Sequence, residues 1–149
     1  MVSSMSECSF LRILVADDQF EQCVLIEKSL SLLGYFRVCP VNTFHELTLL
    51  SHFSPNTYER FDLLIVNAKL ITSAGLDVAK FCVNNSRFRH VLVYGGEYSQ
   101  AKPQNLSVKP HHQVRRLGSL THQSLVEFLS VIDTDFIKRR TRTLSDKVA

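Results

Sequence analysis

The chain has 149 residues, of which 45% are hydrophobic and 21% are charged, and its formal net charge is +3. This length and composition predict one globular domain with a single core. No apolar run approaches the length needed to cross a bilayer, and the N-terminus MVSSMSECSF has no basic region followed by an apolar stretch, so no secretion signal is expected. The cysteines show no CxxC and no metal-type spacing, which predicts reduced thiols in a cytoplasmic protein: Cys8, Cys23, Cys39 and Cys82.

The first half of the chain alternates between strand and helix patterns. The branched apolar run LRILVAD predicts a strand. The segment FEQCVLIEKSLSLLG predicts a helix that stops at Gly34, with apolar positions on one face at Phe20, Val24, Leu25, Leu32 and Leu33. YFRVCPV predicts a second strand, and NTFHELTLLSHF predicts a helix with Thr43 and Glu46 as its capping box.

The second half continues the alternation. FDLLIVN, apolar on both faces, predicts a third strand, AGLDVAKFCVNN a third helix and RHVLVYGG a fourth strand. The polar segment EYSQAKPQNLSVKP contains two prolines, so any helix there is expected to be short. HQVRRLGSL predicts a fifth strand. THQSLVEFLSVIDTDFIKRR predicts the last helix, with a buried stripe at Leu125, Phe128, Leu129, Ile132 and Phe136.

Five alternating units predict a doubly wound α/β domain, in which helices cover both faces of a parallel sheet. We expect this domain over residues 10–135, after a flexible N-terminus at 1–9 and before a basic tail at 136–149, which is either a free end or the start of a linker to an output domain. In open sheets of this class the functional crevice lies at the carboxyl ends of the strands. The residues there are Asp17 and Asp18, Asn67, Gly95 and Gly96, and Gly118 and Ser119.

An acid pair after the first of five such units resembles the receiver domain of bacterial response regulators, over residues 10–133. Asn67 is followed eight residues later by Gly75, which is the spacing between the phosphoacceptor aspartate and a loop glycine in that family. The resemblance implies a flavodoxin-like (βα)5 fold with five parallel strands in the order 2-1-3-4-5. It also implies a site in which a carboxylate attacks a phosphoryl group.

In receivers the acid pair, that carboxylate and a backbone carbonyl two residues on hold a divalent cation, while a hydroxyl after strand four and a lysine after strand five grip the phosphoryl oxygens. Asn67 stands at the nucleophile position, Gly95 at the hydroxyl position, and Gly118, or at best Ser119, at the lysine position. Lys109-Pro110 resembles the Lys-Pro pair of receivers, but the better strand, QVRRLG, comes after it. We therefore interpret Gly95 and Gly118 as degenerate switch positions.

These departures predict a pseudo-receiver that is not an enzyme and does not accept phosphate. It would belong to a bacterial two-component-type signalling protein and act by protein–protein contacts or dimerisation, with another signalling protein or a fused output domain as its partner. The alternative is an active phosphorelay receiver that uses Mg2+ and the acidic site Asp17/Asp18. A nucleic-acid-binding role for the basic tail has no recognition helix or aromatic platform behind it.

Further predictions concern cofactors, metal binding and the charge balance of the acid pair. No cofactor is required, and Asp17 and Asp18 are expected to bind Mg2+ weakly or not at all, because neutral Asn67 removes one negative charge. Without metal, either Lys69 balances the charge of the acid pair or solvent does.

Arg115 and Arg116 form either an interaction face or a solvent-facing pair next to Asp133 or Glu127. His111 and His112 lack a third metal ligand, and Cys82 and His90 lack a group that would activate them.

Overall fold

The computed structural model describes residues 10–52, 61–85, 87–98 and 102–133. The predicted flexible segment 1–9 and the basic tail 136–149, including Phe136, lie outside the described residues, so the expected domain bounds stay predictions. Within the described ranges, no helix is long and apolar enough to cross a membrane.

Strands and helices alternate in the first half of the described residues, whereas two helices follow the third strand and three strands follow one another after them. The strands are β1 (Ile13–Ala16), β2 (Val38–Val41), β3 (Phe61–Asn67), β4 (Phe88–Tyr94), β5 (Gln104–Lys109) and β6 (His112–Leu117). The helices are α1 (Phe20–Leu32), α2 (Phe44–His52), α3 (Ala68–Thr72), α4 (Val78–Asn84) and α5 (His122–Ile132). The predicted third helix, AGLDVAKFCVNN, corresponds to α4, and α3 is a short additional helix that was not predicted and that begins at the residue that follows β3.

The sheet confirms the flavodoxin-like α/β class. Its strand order is β2-β1-β3-β4-β6-β5, and every neighbouring pair is parallel except β5 with β6. The predicted fifth strand is therefore β6, and β5 is a sixth strand at the sheet edge, where only a short helix was expected. Pro103 and Pro110 lie directly outside the two ends of β5, and an edge strand tolerates proline at such positions, so the prolines do not prevent a strand between them.

The core lies on both faces of the sheet. Helices α1 and α5 cover one face, and α2, α3 and α4 cover the other. The predicted stripe of α5 is confirmed at Leu125, Phe128 and Leu129, which are buried.

The predicted apolar face of α1 is wrong at three of its five positions. Phe20, Leu25 and Leu32 are 68%, 58% and 82% exposed, and the buried face instead carries Cys23, Ile26 and Leu30. This helix has apolar residues on several sides, so its sequence alone supports more than one buried face.

His90 on β4 makes the fold sensitive to acid. Its side chain is buried, its Nδ1 accepts the Gln113 N–H at 3.0 Å, and burial, aided by the charge of Arg89, lowers its pKa to about 4. The fold therefore favours neutral His90, and the stabilisation is present above the unfolded pKa of about 6.5 and is lost as the pH falls towards the folded value.

We expect the free energy of unfolding to fall by about 3 kcal/mol between pH 7 and pH 4 because of His90. His90→Asn keeps an acceptor close to the Nδ1 position but does not titrate there. Urea unfolding of both proteins across this range measures the difference. An equally steep loss in His90→Asn would contradict the assignment to His90.

Candidate functional site

The carboxyl-terminal ends of four strands lie side by side at one end of the sheet. They bring the predicted site positions together. Ala16 pairs with Val66, and Asn67 pairs with Tyr94, so the ends of β1, β3 and β4 lie side by side. The Gly95 N–H donates to the Gly118 carbonyl at 3.1 Å, which joins the chain after β4 to the chain after β6. The structure therefore places Asp17, Asn67, Gly95 and Gly118 close together at one end of the sheet, and we call this packed group of residues the acid pocket.

Asp17 is the centre of this pocket and is fully buried. Its Oδ1 accepts the Gln19 N–H at 2.8 Å, and its Oδ2 accepts both the Asn67 side-chain amide at 3.1 Å and the Tyr94 hydroxyl. An ionised carboxylate removed from water is tolerated only where such donors replace its hydration. All three of these hydrogen bonds come from neutral groups of the protein.

The backbone of Asp17 is held as firmly as its side chain. Its carbonyl accepts the Asn42 side-chain amide at 2.9 Å, and its N–H donates to the Val41 carbonyl at 3.1 Å. These bonds tie the end of β1 to the residues at the end of β2, so the carboxylate has a fixed position.

Tyr94 is the site residue that sequence reasoning missed. Its ring is 5% exposed, and burial, followed by the hydrogen bond to Asp17, raises the pKa of its hydroxyl above the ordinary value. The hydroxyl therefore stays protonated and acts as a donor. The available signal was a tyrosine as the last residue of a strand that is otherwise aliphatic towards its end, since a buried tyrosine hydroxyl needs a partner.

Asn67 uses both ends of its amide. Its Nδ2 donates to Asp17, and its Oδ1 accepts the Lys69 N–H at 2.9 Å, which caps helix α3. A carboxylate at this position could accept the cap bond but could not donate to Asp17. The amide is therefore the group that suits both neighbours at once.

Gly95 lies directly against Asn67. Its φ is +79°, and a Cβ added to it would lie 3.0 Å from Asn67 Oδ1, while one added to Gly96 would lie 3.1 Å from the Cβ of Ala68. The loop after β4 therefore packs closely on the start of α3. A hydroxyl-bearing side chain at Gly95 would therefore be strained by the positive φ and would require Asn67 to shift.

Two glycines allow this contact to be measured. Gly75 has a φ of +78° and nothing within 4 Å of an added Cβ, so Gly75→Ala reports backbone strain alone. We expect Gly75→Ala to cost about 1 kcal/mol of unfolding free energy and Gly95→Ala about 2 kcal/mol, because the methyl group added by Gly95→Ala also meets Asn67. Chemical denaturation of both variants is the measurement. Equal losses would show that the loop does not press on Asn67.

The remaining acid-pocket residues lie apart from this cluster. Asp18, Lys69 and Ser119 follow the carboxyl-terminal ends of their strands, and their side chains are exposed. Lys109 pairs with His112 at the start of β6, which is the opposite end of the sheet from Asp17. Among the described residues the one ion pair joins Arg89 to Asp62 at 4.0 Å, so Lys69, one of the two possibilities left open by the sequence, makes no ion pair with Asp17 or Asp18.

Arg115 and Arg116 point to opposite faces of β6, as strand alternation requires. The Arg115 guanidinium lies 5.3 Å from the Phe128 ring centroid and donates to Asn105 Oδ1 at 2.9 Å, while that of Arg116 lies 5.2 Å from the Tyr98 ring centroid. Both are half-buried, and β5 covers the edge of β6 beside them. Their role in an interaction face stays a prediction.

The histidine and cysteine groups do not form a second centre. Both ring nitrogens of His112 face backbone carbonyls, Nδ1 that of Arg89 at 2.9 Å and Nε2 that of Val83 at 3.0 Å. Burial raises the pKa of the Cys82 thiol to about 12, which disfavours a thiolate. In the parts of the chain that the structure describes, no three His, Cys, Asp or Glu side chains come together to hold a metal ion.

Comparison with known proteins identifies the fold. No protein-family model and no curated protein sequence matches the chain. The solved structures similar to it include two that each have 18% sequence identity with the chain. One is a response regulator receiver domain protein from Clostridium thermocellum, with a TM-score of 0.53 and coverage of 89% of this chain and 98% of that chain.

The other solved structure is a fusion of the yeast Spc42 trimeric coiled coil to another protein structure. It has a TM-score of 0.55 and covers 95% of this chain and 99% of that chain. The chain has a receiver-like fold. At this identity the likeness extends to the fold and not to the chemistry of the site.

Proposed function

We propose that this protein is a pseudo-receiver: a signalling domain that keeps the receiver scaffold, does not accept a phosphoryl group and acts through protein contacts. Its partner is another signalling protein, a fused output domain or a second copy, in the cytoplasm of a bacterium. The observation that carries the proposal is the amide of Asn67 at the phosphoacceptor position, where it donates to Asp17 instead of offering an anionic oxygen.

The surroundings of Asn67 support the same function. Attack on phosphorus needs an accessible carboxylate beside room for the phosphoryl group and a cation to balance its charge. Asp17 is fully buried, Gly95 packs against the Asn67 amide, and the Gly118 carbonyl accepts a backbone N–H where a receiver has its lysine. Each of these features favours a fixed pocket over a phosphorylation switch.

The rival function, an active phosphorelay receiver, depends on Asp18. Asp17 has its oxygens engaged by three donors, which leaves exposed Asp18 as the accessible carboxylate of the pair. Asp18 lies outside the Asp17–Asn67–Tyr94 hydrogen-bonded cluster, so this alternative lacks the positioned nucleophile that the chemistry needs.

Intact-mass spectrometry after incubation with acetyl phosphate and Mg2+ tests the proposal. We expect the wild-type mass to be unchanged, while an ordinary receiver treated in parallel gains one phosphoryl group. A phosphorylated wild-type protein whose modification disappears in Asp18→Ala would overturn the proposal and establish the rival.

A further inference from the structure

The hydrogen bonds in the acid pocket conflict with the cation site of a receiver. The resemblance places the four oxygen ligands of a divalent cation at Asp17, Asp18, Asn67 and the backbone carbonyl of Lys69. Mg2+ requires ligands whose oxygen lone pairs point to the ion in near-octahedral geometry. Whether the residues fit the ion therefore depends on what these oxygens already bind.

Three of the four groups do not fit. Asp17 accepts hydrogen bonds from Gln19, Asn67 and Tyr94, and Asn67 turns its NH2 group towards Asp17 while its Oδ1 caps α3. The Lys69 carbonyl lies inside α3 and accepts the Ser73 N–H at 2.9 Å and the Thr72 hydroxyl at 3.3 Å. Asp18 is the remaining group, and it is exposed.

The loss of the nucleophile at position 67 does not by itself explain why the Tyr94 hydroxyl donates to Asp17. Asn67 removes one charge from the pocket, yet Asp17 would still be a buried carboxylate in need of a partner. Tyr94 comes from β4, two strands away from β1 in the sheet, and its ring packs in the core cluster on the α1 and α5 face. From there its hydroxyl reaches the same Oδ2 of Asp17 that accepts the Asn67 amide.

We propose that the Tyr94 hydroxyl and the Asn67 amide together replace the divalent cation of a receiver as the partners of Asp17. Neutral donors that belong to the protein then stabilise the carboxylate, and the ends of β1, β3 and β4 stay in one arrangement without any ion. This inference rests on the proposed function, since it treats the pocket as that of a receiver. It adds that Tyr94, and not only Asn67, excludes the cation.

A set of four proteins tests this inference: wild type, Asn67→Asp, Tyr94→Phe and the double variant. Each is titrated with Mg2+ and followed by thermal unfolding and by amide NMR. We expect Mg2+ to have no effect on the first three. The double variant regains a carboxylate and frees an Asp17 lone pair, so we expect it to bind Mg2+ at least about tenfold more tightly than wild type. Asp18→Ala in the double variant should remove this gain.

Two results with the variants would overturn the inference. If Asn67→Asp alone binds Mg2+ as tightly as the double variant, Tyr94 does not exclude the cation. If the folded double variant gains no affinity, the hydroxyl and the amide are not what replaced the ion.

A measurement on the wild type covers the case in which the double variant does not fold. We expect the side-chain NH2 signals of Asn67 and a slowly exchanging hydroxyl proton of Tyr94 to be unchanged by Mg2+. Their displacement by Mg2+ would overturn the inference. Displacement without phosphorylation by acetyl phosphate leaves the proposed function intact, whereas phosphorylation of the wild type overturns the proposed function itself.

Discussion

Tyr94→Phe is expected to lower the free energy of unfolding by about 3 kcal/mol, although the substitution removes a single oxygen atom. The lost hydroxyl donates to Asp17, a fully buried carboxylate, and the phenylalanine ring leaves no donor in its place. Removing one partner of a buried charge destabilises a protein by more than the net stabilisation from the hydrogen bond, because the charge stays desolvated. Urea unfolding of the variant and the wild type measures this loss.

Tyr98→Phe provides the matched control. The Tyr98 hydroxyl donates to the backbone carbonyl of Lys102 at 2.8 Å, at a half-exposed position where water can replace it. We expect this variant to lose less than about 1 kcal/mol. Equal losses of unfolding free energy in the two variants would mean that the hydrogen bond to Asp17 stabilises the protein no more than an exposed one does. This result would contradict the role given to Tyr94.

Asn67→Asp, the substitution that restores the receiver nucleophile, is expected to destabilise the protein by about 3 kcal/mol at pH 7. The Asn67 Nδ2 lies 3.1 Å from Asp17 Oδ2, so the substitution replaces a donor by a second negative charge at contact distance. Protonation of the new carboxyl group returns a donor to the pocket. We therefore expect the loss to be smaller at about pH 4 than at pH 7, which denaturation at both pH values measures.

Asn85→Asp separates this repulsion from the general effect of an added charge. The Asn85 Oδ1 accepts the Arg87 N–H at 2.9 Å, a role that a carboxylate oxygen performs equally well. Asn85 is the C-cap of α4, where a negative charge is mildly unfavourable, so the cost of Asn85→Asp should stay within about 1 kcal/mol. A tolerated Asn67→Asp with no pH dependence would contradict the hydrogen-bond assignment of the amide.

The sequence was sufficient for the fold class because the strand and helix patterns are strong. Long apolar runs such as that of β3 are buried on both faces, and their alternation with helices permits few topologies. It was insufficient for β5, whose proline-flanked segment is polar except for Leu106 and Val108, and for the buried face of α1, which has apolar residues on several sides.

The candidate site could be predicted in part for a similar reason. Asp17, Asn67 and Gly95 lie at the ends of strands, and the ends of parallel strands meet, so their proximity follows from the topology. Tyr94 lies inside a strand pattern and looks like another core residue, since nothing in the sequence shows where a hydroxyl points. That Asn67 donates to Asp17, and does not merely lack a charge, is likewise a property of side-chain orientation in the fold.

Amide NMR of the wild-type protein with Mg2+ and the phosphoryl mimic beryllofluoride shows whether the site still accepts a cation and a phosphoryl group. We expect the signals of Asp17, Asp18 and Gly95 to be unchanged at reagent concentrations that shift the signals of an ordinary receiver measured in parallel. Shifts at these three residues in the wild type would contradict the proposed function, because they would mean that the pocket still accepts a cation and a phosphoryl group.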